Sequence, residues 1–114
     1  MSYDKTKTDP VLGQKVHEYL VSVGVETPVI DNGLSRKEKI EKIEDSFDQI
    51  VSTLGLDLKD DSLIDTPKRV AKMYVNEIFW GLDYAAFPKV TVVDNKMKYN
   101  EMVVEKGISV QSYC

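Results

Sequence analysis

The one cysteine of the chain, Cys114, follows ISVQSY, a stretch in which small or apolar residues alternate with polar ones as they do on a strand. A thiolate is a strong zinc ligand, and a ligand at a strand end is held by the sheet rather than by a loose loop. The plain alternative is packing. Free cysteine is among the most buried residue types, and no CxxC or cysteine–histidine pair accompanies this one. On the residues alone both readings stay open.

Other chemistry-bearing groups read more simply. His17 is the only histidine; it sits off the main apolar stripe of its helix and has no sequence-local partner for acid–base work, so a partly packed or exposed role is expected. Asp57, Asp60, Asp61 and Asp65 invite a calcium reading, but Ser62 stands where an EF-hand loop wants glycine and Lys68 where it wants glutamate. Helix capping and a solvated acidic turn account for them better. Lys68, Arg69 and Lys72 cluster at a helix start, where a phosphate contact is conceivable and a solvated face is the simpler expectation. Tyr74, Phe79, Trp80, Tyr84 and Phe87 could stack a base, yet nucleic-acid modules pair such aromatics with a basic surface that this chain lacks. Core or subunit-interface packing is predicted for them.

Three helices must position these groups. Asp9-Pro10 is a cap followed by a first-turn proline, Leu12, Val16, Tyr19, Leu20 and Val23 recur at helical spacing, and Gly24 suits the end. Residues 25–33 read as a connector. Ser35 and Glu38 fit a capping box ahead of the stripe Ile40, Ile43, Phe47, Ile50, Val51 and Leu54, closed by Gly55. Thr66-Pro67 opens a third helix, as cap then proline, that runs to about Trp80. After Phe87-Pro88 the period becomes two: 89–93, 101–105 and 108–114 read as extended, Asp94-Asn95 as a turn and Gly107 as a bend. The prediction is an α+β chain, with a helical region over 1–88 and the start of an antiparallel sheet over 89–114. Two or three strands are too few for a sheet to stand alone in water.

Composition narrows the class. At 114 residues, 42% hydrophobic and 30% charged, the chain reads as an ordinary soluble globular protein. A net charge of −4 argues against nucleic acid and against an anionic membrane. One cysteine makes no internal disulfide, which suits a reducing compartment, and a cytoplasmic location is expected.

From the second helix onward, and most specifically in DTPKRVAKMYVNEIFWGLDY, FPKVT and NKM, the sequence closely resembles the N-terminal part of GTP cyclohydrolase I. The similarity is strong over roughly residues 40–114 and looser over the first helix. It implies N-terminal helices before a tunnelling-fold domain, and subunits joined in a large homo-oligomeric ring, typically a decamer. It also implies conversion of GTP to 7,8-dihydroneopterin triphosphate and formate, in which a zinc ion held by one cysteine and two histidines activates water. Cys114 matches the ligand cysteine. The Glu-His-His that follows it in the family, the catalytic histidine and the residues for guanine and triphosphate are not among these 114 residues. His17 matches none of them. The expectation is therefore an N-terminal portion of such an enzyme, inactive by itself. The alternative is a non-catalytic helical assembly module.

Overall fold

The computed structural model describes residues 2–26 and 28–112. Its first helix, α1, spans Pro10–Ser22; the Asp9 carboxylate accepts from the Leu12 N–H at 3.0 Å, and Gly24 ends the turn at a φ of 71°. Both are the devices predicted for this helix. The buried face is rotated from the expected one: Leu12, Val16 and Leu20 of the predicted stripe are half-buried. Tyr19 and Val23 of the predicted stripe are exposed, whereas Gly13 is buried against the short 3-10 turn Tyr84–Ala86. A Cβ on Gly13 would lie 1.8 Å from the Tyr84 carbonyl oxygen, so the two backbones touch where only glycine fits.

Helix α2 spans Arg36–Thr53 and begins with the predicted capping box. The Glu38 N–H donates to Ser35 Oγ at 3.3 Å, while the Glu38 carboxylate accepts from the Ser35 N–H at 2.8 Å and from its hydroxyl at 2.6 Å. Those bonds favour the ionised acid and hold the Glu38 carboxyl below the usual glutamate range.

Helix α3, Thr66–Met73, packs along α2 and passes directly into a π turn over Tyr74–Ile78, where the Phe79 N–H donates to the Tyr74 carbonyl at 2.8 Å. The helical stretch thus ends close to the predicted Trp80, with its last turn underwound. Its cap position is Asp65 rather than Thr66, and no side chain caps it. Pro67 is wholly enclosed there, and Val51, Ala71, Val75 and Ala86 form the buried apolar core among the described residues. That core is small. Ile50, Leu54, Leu56, Ile64, Phe79 and Leu82 remain about half exposed or more.

The predicted sheet does not form among the described residues. The N-terminal segment instead meets the start of the extended stretch: Thr8 and Pro88 make an isolated antiparallel bridge, the Asp9 N–H donates to the Phe87 carbonyl at 2.7 Å, and the Lys89 N–H donates to the Lys7 carbonyl at 3.1 Å. Beyond it, 90–112 is extended and exposed without strand pairing. A strand exists only by pairing, and among the described residues the segment finds no backbone partner in 1–88 past Lys89. The turn is where it was expected: the Asn95 side-chain amide accepts from the Tyr99 N–H at 2.8 Å and donates to the Tyr99 carbonyl at 2.6 Å, and Gly107 bends at a φ of 73°.

Candidate functional site

The most developed concavity is a groove of about 760 Å³ between the connector after Pro28, one face of α2, and the aromatic end of the third helical stretch. Local chemistry sets its walls. In the connector, Asp31 Oδ1 accepts from the Gly33 N–H at 2.8 Å and Asn32 Oδ1 from the Leu34 N–H at 3.2 Å, two turns that deliver Ser35 to its capping position. Helix α2 then presents Lys39, Lys42, Ile43 and Phe47 to the groove. The opposite wall is aromatic: Tyr74 lies 5.7 Å from Phe47 and stacks on Phe79 at 5.6 Å and 8°.

Arg36 ties this end together. Its guanidinium donates to the Val75 carbonyl at 3.0 Å and to Asp83 Oδ2 at 3.2 Å, and its carbon sits 3.7 Å above the Tyr3 ring. The Tyr3 N–H donates to the Asn76 carbonyl at 2.7 Å. Val75 and Asn76 lie in the last turn of the helical stretch, where carbonyls lack helical partners; Arg36 and the N-terminal segment supply two donors. Nothing in the local spacing around Arg36 marks it for this, because its acceptor stands 39 positions away. The signal that could have hinted at it is the run of cations, Arg36, Lys37 and Lys39, at a helix start, where the helix dipole disfavours them.

The residues singled out by type fall elsewhere. Cys114 lies outside the described residues. His17 is half-buried, stacked on Tyr84 with ring centroids 4.3 Å apart and 20° between planes; it pins α1 to the turn at Tyr84. The acidic stretch is turn chemistry. Asp57 Oδ1 accepts from the Lys59 N–H at 2.9 Å, and Asp60 accepts from both the N–H and the hydroxyl of Ser62, bonds that lower the Asp60 pKa. Lys68 and Lys72 line a shallow furrow that also holds Lys37, Glu41 and Glu44, with Lys37 and Glu41 paired at 3.7 Å. Mixed charge of that kind gives no anion site. Among the described residues no three histidine, cysteine or acidic side chains converge to hold a metal ion, and no helix is long and apolar enough to cross a membrane.

Comparison with known proteins supplies what the geometry does not. The family model described as GTP cyclohydrolase I matches residues 43–114. GTP cyclohydrolase 1 of Aeromonas hydrophila is 58% identical over 99 residues, covering 87% of this chain and 45% of that protein. The protein of the same name from Aliivibrio salmonicida is 57% identical over 87% of this chain and 46% of its own, and that of Shewanella amazonensis 55% identical over 89% and 47%. The chain spans about half the length of the curated relatives it matches. The matched region starts inside α2, takes in the whole α3 and π-turn unit with its aromatic wall, and continues through the extended segment to Cys114; this chain belongs to the GTP cyclohydrolase I family.

Proposed function

We propose that these residues are the N-terminal portion of an enzyme that hydrolyses GTP to 7,8-dihydroneopterin triphosphate and formate, the entry to folate and pterin synthesis. The observation that carries this reading is the unbroken family match over 43–114, at more than half identity to enzymes of that name. In it residues 1–88 are a helical region that braces subunits, and 89–114 are the first strands of a tunnelling-fold catalytic domain. The exposed apolar side chains of Val90 and Val92, and of Met102 and Val104, support the second assignment, since such pairs on one side of an extended segment are stable only when other strands and a covering layer reach them.

Cys114 is the proposed zinc ligand of this segment. The described residues do not themselves fit a zinc site, because no three donors meet among them; a single thiolate is one ligand of the three that a catalytic zinc takes from protein. The other donors and the groups that bind GTP belong to further sequence of the enzyme. The assembly is a homo-oligomer, on this reading a decamer, working in the cytoplasm.

The test uses the full-length enzyme. Purified protein is expected to carry about one zinc per subunit and to release formate from GTP, and Cys114→Ser is expected to lose both while the oligomer persists in sedimentation. Stoichiometric zinc in the Cys114→Ser protein would remove the thiolate from the site and sink the assignment.

A further inference from the structure

The groove beside α2 has two unlike surfaces. One is aromatic: Phe47, Tyr74 and Phe79 stand in a row with ring centroids 5.7 and 5.6 Å apart, and the Tyr74 and Phe79 rings lie within 8° of parallel. Phe79 is 43% exposed, so the row is open at that end. The other surface is cationic. Arg36, Lys39 and Lys42 recur every three residues along α2 and all line the groove. Against them the lining sets one carboxylate, Asp83, and Arg36 already holds it at 3.2 Å.

The two lysines are left uncompensated. The neighbours of Lys39 at helical spacing are Ser35, Arg36, Lys42 and Ile43, none of them acidic. Glu38 and Asp45 flank Lys42, but Glu38 is engaged with Ser35, and neither closes an ion pair with Lys42 among the described residues. A chain of net charge −4 thus keeps two like charges three positions apart beside an aromatic wall. Such a pair repels itself until an anion sits between its members.

Volume and chemistry narrow that anion. About 760 Å³ is the size of a small-molecule site. A planar ring gains by stacking on an aromatic wall, and paired ammonium groups at its edge take a carboxylate or a phosphate. We infer that this groove binds a small planar aromatic anion, with its ring against Tyr74 and Phe79 and its anionic group between Lys39 and Lys42. The inference does not rest on the hydrolytic reading above, and binding is read without turnover.

Calorimetric titration of the full-length enzyme with 2-naphthoate and, separately, with 2-naphthyl phosphate tests it. Saturable binding of at least one is expected, and the tighter of the two identifies the anionic group. Lys39→Gln with Lys42→Gln should weaken that binding at least about tenfold, whereas Lys39→Arg with Lys42→Arg should hold it within about threefold. Phe79→Leu keeps apolar bulk, removes the ring and should weaken binding about threefold or more. Neutral 2-naphthol and ring-saturated cyclohexanecarboxylate should each bind at least about tenfold more weakly than the naphthyl anion. Failure of both naphthyl anions to saturate by about 5 mM overturns the site. Binding left unchanged by the lysine-to-glutamine pair overturns it equally, because the anion then lies elsewhere.

Discussion

Replacing Gly13 by alanine sets two backbone effects against each other, and the structure decides which wins. In an open helix the change would stabilise by about 0.5–1 kcal/mol, because glycine loses the most conformational freedom on folding. Here the new methyl would sit 1.8 Å from the Tyr84 carbonyl oxygen, 2.8 Å from its carbon and 2.9 Å from Phe87 Cβ. Ordinary contact begins near 3.4 Å, so α1 must retreat by about 1.6 Å from a backbone that cannot rotate aside. Overpacking of this kind costs about 1–3 kcal/mol, and separating His17 from Tyr84 forfeits a further stack of about 0.5–1.5 kcal/mol. The expected net loss is about 2 kcal/mol. Urea unfolding followed by the fluorescence of Trp80 reads it: with a slope near 2 kcal/mol per molar, the midpoint should fall by about 1 M. Gly81→Ala is the control, because nothing lies within 4 Å of its would-be methyl; it should move the midpoint by less than about 0.5 M. A Gly13→Ala protein as stable as the parent would refute the close-packed docking of α1.

Further outcomes follow from the same contacts. Arg36→Ala removes a donor to the Val75 carbonyl, the Asp83 pair and the Tyr3 stack, and is expected to cost about 2 kcal/mol; Arg36→Lys should recover less than half, because an ammonium cannot donate in two fixed directions, and equal stability of the lysine variant and the parent would contradict this. Ser35→Ala should cost about 1 kcal/mol through the lost cap, measured by helix content on heating. The same variant should move the Glu38 carboxyl part of the way back toward the usual glutamate range in an NMR titration, since the Ser35 hydroxyl bond is the largest cause of its lowering while the Ser35 N–H and Lys42 remain. Glu38 is an acid whose folded pKa is lowered, so its contribution is present above the unfolded value of about 4.3 and disappears as pH falls through the lower folded value; the gap between parent and variant should narrow in acid to the part carried by the Glu38 N–H bond to Ser35 Oγ.

What could be read from the sequence divides by range. The caps at Asp9 and Ser35, the ends at Gly24 and Gly55 and the Asn95 turn were legible because each is decided within about five residues by hydrogen bonds a single side chain can make. The docking face of α1 was not. Periodicity ranks positions by apolarity and so selected Tyr19 and Val23, whereas the contact is made by Gly13, chosen for having no side chain, and by His17, chosen for its ring. Arg36 escaped for a related reason, since its partners at positions 3, 75 and 83 become neighbours only after the third helical stretch has returned along α2.

The extended segment shows the same division from the other side. The Val- and Thr-rich run over 89–93 and the apolar run over 102–104 are local signals for extended chain, but a strand exists only by pairing, and pairing is a property of two segments. The partner found for its first residue is the N-terminal stretch: the bonds between Lys7 and Lys89 and between Asp9 and Phe87 fix the direction in which the segment leaves the helices. Tyr3 and Arg36 anchor that stretch at its other end. The departure angle of the segment is therefore set by residues outside it, more than 50 positions away in sequence. The direction in which the segment sets out is written in Thr8 and Arg36, through contacts that its own residue pattern does not contain.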